Sequence, residues 1–252
     1  MRTPLLILGA VLGLGLGAHL AWAAPTPPAV TLDTRPLGVA VHKTVLPAHR
    51  VNPEDPLDWG HAAAVHLALG PQDPARQEAA LSVYPVAGLV AANPGDLGRE
   101  VQTQLGRLRT LLKSWPARPS GELPYLLGPP ADQVFATAVR YLDFPGGSGV
   151  RYLTMYSSDV SPVTSDRLFY TFQGLTEDGK YILVLTYPVS TRRLPANYDA
   201  VPPGQRDALA RGVGYPAYLS RTAQMLGATG PADFSPSLGK LDAAVRGIRV
   251  GP

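Results

Sequence analysis

An α+β fold, with an antiparallel β-sheet covered by N-terminal and C-terminal helices, is predicted by three features of this chain. Residues 134–189 form a meander of apolar and aromatic runs of strand length, broken by turn residues. Those runs carry large side chains on both alternation faces, so the sheet needs cover on both sides. Amphipathic stretches before and after the meander supply helices for that cover.

The first residues have the order of an export leader. Arg2 precedes an apolar run over 5–20, and Ala21-Trp22-Ala23 gives a small-x-small exit, with Pro25 and Pro27 beyond it. The run is shorter than the roughly 20 residues that span a bilayer. Cleavage near Ala23 and no stable transmembrane span thereafter are therefore expected. The chain has no Cys, so neither a lipidated Cys nor a disulfide is available to it. These features predict an exported protein of the periplasm or extracellular cell envelope. Lys and Arg number 22 against 19 Asp and Glu, a formal charge of +3 with no basic block. That excludes a nucleic-acid footprint. Residues 1–23 read as signal peptide, 24–30 as a Pro-rich lead-in and 31–252 as a single α+β domain, within which 31–115 could form a subdomain.

The elements follow in order. Thr31 and Leu32, with 37–46, read as a strand pair or one interrupted strand, because Pro36 breaks the run. Residues 62–69 are apolar with two histidines and fit either a buried strand or a short helix, and 81–86 is a short β-prone run containing Pro85. Leu97, Val101, Leu105, Leu108, Leu112 and Trp115 recur at helical spacing and predict a helix over 96–115, with Asp96 as its cap and Pro116 as its stop. Four strands then follow. The first ends near Phe144 at a loop over 145–149, and the second alternates Val150, Tyr152, Thr154 and Tyr156 with Leu153 and Met155. The third runs over 168–172, and the fourth runs over 181–187 after the Asp178-Gly179 turn. Beyond them, 203–211 contributes a helical turn and 215–226 a helix stopped by Gly227. Ser235-Pro236 opens a final helix through Leu238, Leu241 and Val245, and 248–250 can end as an extended tail.

Several of these segments carry a resemblance. Leu142-Asp143-Phe144, the run from Gly149 to Tyr156, the run from Leu168 to Tyr181, and Leu241-Asp242-Ala243-Ala244 with Ile248-Arg249-Val250 are similar to an uncharacterised family of exported bacterial proteins and lipoproteins. The likeness covers the last half of the chain and brings no known enzyme chemistry. A final helix after an antiparallel sheet also resembles PsbP/Mog1-like domains in element order, which says little about function.

Chemistry is sparse. His42, His49, His61 and His66 have no metal-ligand spacing. Ser148 lies between Gly147 and Gly149 without the spacing of a nucleophile elbow. Glu122, Asp132, Asp143 and Asp159 have no distinguishing local context, so a carboxylate pair would have to be assembled by the fold. No catalytic residue, cofactor or metal is expected. Tyr152, Tyr156, Tyr170, Gln173 and Tyr181 are the candidate binding surface, since rigid tyrosine faces suit protein or glycan contacts. Gln173, amid Phe172 and Leu175, requires a partner if buried. Arg151 and Asp143 flank the first hairpin and could pair across it. The expected function is a non-catalytic accessory or binding protein of the cell envelope, its partner an envelope protein or a glycan. The rivals are an envelope-polymer hydrolase and a structural subunit of a surface assembly.

Overall fold

Seven antiparallel strands form one sheet, and helices lie on both of its faces. The computed structural model describes residues 27–251, except 53, 56–57, 118, 120 and 129–130. The leader at 1–23 and the start of the lead-in fall outside the described residues. In chain order the elements are β1 (Ala29–Thr31), β2 (Val41–Leu46), β3 (Ala64–Leu69), β4 (Ala80–Pro85), α1 (Val86–Ala92) and α2 (Gly95–Ser114). Then come β5 (Asp132–Phe144), β6 (Gly147–Ser157), β7 (Phe169–Thr176), β8 (Tyr181–Pro188) and β9 (Ser190–Thr191). The chain closes with α3 (Pro203–Ala210), α4 (Tyr215–Ala228), β10 (Phe234–Ser235), α5 (Leu238–Arg246) and β11 (Arg249–Gly251).

The sheet order is β2-β3-β4-β8-β7-β6-β5. Two consecutive meanders, β2 to β4 and β5 to β8, join where β4 pairs with β8 in the register Val83↔Leu183. The N-terminal strands therefore extend the same sheet. The aromatic meander forms as expected, although its first strand starts at Asp132 and its first turn is tighter, with Phe144 opposite Gly147. Gly146 adopts φ 85° there, a conformation that favours glycine.

The two-sided apolarity has a direct cause. One face packs Leu67, Leu81, Leu153, Phe172 and Leu185 against Leu226 of α4 and Leu238, Leu241 and Val245 of α5. The other packs Val150 and Ile182 against Val86 and Leu89 of α1 and Val101, Leu105 and Leu108 of α2. Each fully buried Leu or Val of these layers contributes about 1.5–3 kcal/mol of apolar burial.

Several local expectations are corrected. Of the two readings of 62–69 the strand is the one that forms, over Ala64–Leu69, paired on its two sides with β2 and β4. β1 does not pair with β2; it joins β11, so the extended tail closes against the start of the domain. Pro85 ends β4 and is the N-cap residue of α1, which starts inside the β-prone 81–86 run and is too short, at 7 residues, to show a clear period. Asp96 sits within the first turn of α2, where it pairs with Arg99, and Pro94 holds the cap position. Gly227 does not stop α4. A Cβ there would come within 2.9 Å of Thr137 Oγ1, so glycine lets α4 lie close on β5, where Thr137 donates to Ala223 O at 2.6 Å. Ser235 and Pro236 precede α5, whose N-cap residue is Ser237.

Arg151 and Asp143 do not pair either. Asp143 lies opposite Ser148, whereas Arg151 faces Arg140 across the β5–β6 ladder. Asp242 of α5 resolves that like-charge contact. Its carboxylate accepts from Arg151 Nε at 3.1 Å and from Tyr170 Oη at 3.1 Å, and Arg140 approaches to 3.6 Å. Arg151 also donates to Ala138 O, at a β5 irregularity where Ala138 adopts φ 51°. A left-handed alanine costs roughly 1–2 kcal/mol, and this bond to a buried guanidinium offsets it.

Candidate functional site

A pocket of about 430 Å³ lies between α2, residues 122–128 and the outer ends of β5 and β6. Its size falls within the ordinary range for small-ligand sites. The 122–128 wall is irregular chain, and the sheet holds it through side chains. Gln133 of β5 accepts from Leu123 N at 3.0 Å and donates to Leu123 O at 3.3 Å. Tyr152 of β6 donates to Pro124 O at 2.9 Å, and Gln173 of β7 accepts from Leu126 N at 3.1 Å. Gln173 Nε2 in turn donates to Thr171 Oγ1. The backbone groups of an otherwise unpaired loop are thereby satisfied from the sheet.

The floor is aromatic. Tyr125 and Tyr156 stand with ring centroids 5.0 Å apart, and Phe169 packs edge-on to Tyr125 at 6.0 Å. Burial pushes the Tyr156 hydroxyl up to about 12, while Gln133 and Tyr152 work against that shift. Gln133 Nε2 donates to the Tyr156 hydroxyl at 2.8 Å. Burial likewise raises Tyr125, which is only 9% exposed. The Tyr125 hydroxyl makes no hydrogen bond to another described residue.

One wall is polar and comes from α2. Gln104 Nε2 donates to Glu100 Oε1 at 2.6 Å, one turn earlier on the helix. A carboxylate needs a donor, so this contact sets the amide orientation. Gln104 Oε1 then faces away, buried and without a partner. Glu100, Glu122 and Asp132 stand in solvent around the mouth. Glu122 reaches Arg107 only at 4.0 Å.

The five sequence-predicted residues do not share one exposed face. Tyr156 lines the pocket, and Tyr152 and Gln173, both 0% exposed, hold its wall from beneath. Tyr170, also 0% exposed, lies on the opposite face of the sheet and binds Asp242. Tyr181 is half-buried on that opposite face as well, against the α4–α5 core. Of the four carboxylates without local context, the fold brings Glu122 and Asp132 to the pocket and leaves Asp143 at the distant hairpin. Gln104, Tyr125 and Gln133 are missed by sequence reading. Tyr125 has one signal, an aromatic ring in an apolar insert, whereas Gln104 and Gln133 stand beside other polar residues and have none.

The arrangement offers hydrogen-bond acceptors and ring faces. A carboxyl recruited as a general acid is held in shielded surroundings, and these three are at the exposed mouth. The histidines lie elsewhere. His66 bonds Ser82 and Glu78. His49 pairs with Asp58 at 2.7 Å and stands 5.9 Å, ring to ring, from His61, whose Nδ1 faces Ala62 O. Among the described residues no group of three or more His, Asp or Glu side chains is placed to hold a metal ion. Nor is any described helix long and apolar enough to cross a membrane. Compared with protein-family models, with curated proteins and with solved structures, the chain finds no match.

Proposed function

We propose that this chain is a non-catalytic binding protein of the cell envelope, and that its ligand sits in the pocket between α2 and the 122–128 wall. The carrying observation is a pocket faced by Tyr125 and Tyr156, whose 122–128 wall is clamped by Gln133, Tyr152 and Gln173. A site held from beneath by buried side chains is preorganised, which lowers the ordering cost of binding. Tyrosine pairs of this kind suit flat, partly apolar ligands such as the sugar rings of a glycan. Export is supported by the charge, apolar run and small-residue exit of residues 2–23.

Titration of the full chain with soluble envelope-glycan fragments tests the reading. Binding is expected to quench intrinsic fluorescence, and Tyr156→Ala should weaken it at least tenfold. Binding that survives Tyr156→Ala unchanged would place the ligand elsewhere and end the proposal. A hydrolase reading has one observation in its favour, the meeting of Glu122 and Asp132 at the same mouth. Turnover of envelope polymer that is abolished by Glu122→Gln or Asp132→Asn would favour it over binding alone.

A further inference from the structure

We infer that the ligand of this pocket carries a protonated amine, an assignment that rests on the binding reading above. The polar groups around the cavity are strongly unbalanced. Glu100, Glu122 and Asp132 bring three carboxylates, and no Lys or Arg is found among the described lining residues. On the α2 side of the cavity, Gln104 has a buried amide oxygen with no donor, so this wall holds more acceptors than donors. The Tyr125 hydroxyl, on a side chain only 9% exposed, is a second polar group without a protein partner.

An ammonium satisfies this inventory. It presents three donors and no acceptor, and it is attracted both to carboxylates and to the faces of Tyr125 and Tyr156. An anionic ligand would meet three negative side chains at the entrance. A neutral ligand would leave Glu100 and Asp132 without a counter-charge and Glu122 with only Arg107, at 4.0 Å. The amine could belong to an amino sugar of a de-acetylated glycan or to a free polyamine, and the pocket chemistry is common to both.

Isothermal titration of the full chain with glucosamine tetramer, its N-acetylated counterpart and spermidine separates these sources. Binding of glucosamine tetramer at least tenfold tighter than its N-acetylated form supports the inference and assigns the amine to a glycan. Binding of spermidine alone supports it and assigns the amine to a free cation. In either case the double variant Glu122→Gln with Asp132→Asn should weaken binding at least tenfold at physiological salt. It should matter little near 1 M salt, where exposed charges are screened. Asp143→Asn, at the far hairpin, should leave affinity unchanged. Equal binding of the acetylated and free-amine tetramers, indifferent to the double variant, overturns the amine inference and leaves the pocket standing as a binding site. Absence of binding by all three, with no Tyr125 or Tyr156 resonance shifted, overturns both.

Discussion

The two faces of the sheet treat buried polarity in opposite ways. Beneath α4 and α5, Arg151, Asp242 and Tyr170 lie nearly inaccessible, and their charged and hydroxyl groups satisfy one another. Beneath α2, the polar groups are only partly matched: Gln133 and Gln173 complete a loop, while Gln104 Oε1 and the Tyr125 hydroxyl have no partner. A satisfied network rigidifies a fold, and the groups left over beside α2 border the cavity. The first network therefore serves stability, and the second borders the cavity proposed as the binding site.

Removing Asp242 is the severest way to break that contrast. Asp242→Ala leaves Arg151 as an uncompensated buried charge and should cost about 3–5 kcal/mol. For a domain of this size that is a fall of roughly 10 °C in the thermal midpoint. Replacing both partners, Arg151→Met with Asp242→Leu, should recover most of the loss, because an apolar pair needs no counter-charge. Ligand affinity measured below the transition should be unchanged in both variants. A large change in affinity would show that the faces are coupled.

Gln173→Ala acts on the other face and is expected to be milder. It strips Leu126 N–H of its acceptor, a loss of about 1–3 kcal/mol, and frees the pocket wall. Stability and affinity should then fall together. A fall in stability alone would mean that the wall is held well enough by Tyr152 and Gln133.

One substitution made on both faces gives the sharpest contrast. Tyr170→Phe removes a hydrogen bond to a buried carboxylate and should cost about 1.5–3 kcal/mol. Tyr125→Phe removes a hydroxyl that has no partner within the described protein, and its effect on chemical denaturation should stay within about 0.5 kcal/mol. Only Tyr125→Phe should weaken ligand binding, by several-fold. Equal costs at the two positions would mean that the Tyr125 hydroxyl is already engaged in the free protein.

The legibility of these features follows the range of the contacts that make them. The aromatic meander can be read in sequence because alternation, Asp178-Gly179 and Pro145-Gly146 are local signals. Cover on both faces can be read from Phe169 to Phe172 and from Tyr181 to Tyr187, since neither run leaves a polar face. The pocket wall cannot be read in this way. Leu123 to Leu127 read as a short apolar insert in a Pro/Gly-rich connector, and the conformation of this wall comes from Gln173, 47 positions away from Leu126, and Tyr152, 28 away from Pro124. Tyrosines on strands announce ring area but not which face they take, so Tyr152 and Tyr170 look alike in sequence and serve different layers. Arg151 shows the same limit. Its partner lies 91 positions away on α5, beyond any spacing rule.

The smallest expected effect is a titration, and it reads the pocket without disturbing the fold at neutral pH. Tyr156 should ionise near pH 12 because burial disfavours its phenolate, with the Glu122 charge adding to the rise. Its folded value lies above the ordinary 10.0, so the folded state holds this proton more tightly than the unfolded chain does. The associated stability is fully present below pH 10 and is lost as pH rises from 10 through about 12. Glu122→Gln removes a negative neighbour and should move the Tyr156 midpoint downward, as followed by phenolate absorbance or the Tyr156 ring resonances. The Tyr170 signal should not move, since its neighbours are Asp242, Arg151 and Arg246 on the opposite face. A bound ammonium should also lower the Tyr156 midpoint, because a nearby cation favours the phenolate. A ligand that binds and leaves Tyr156 unmoved would have its charge outside the pocket.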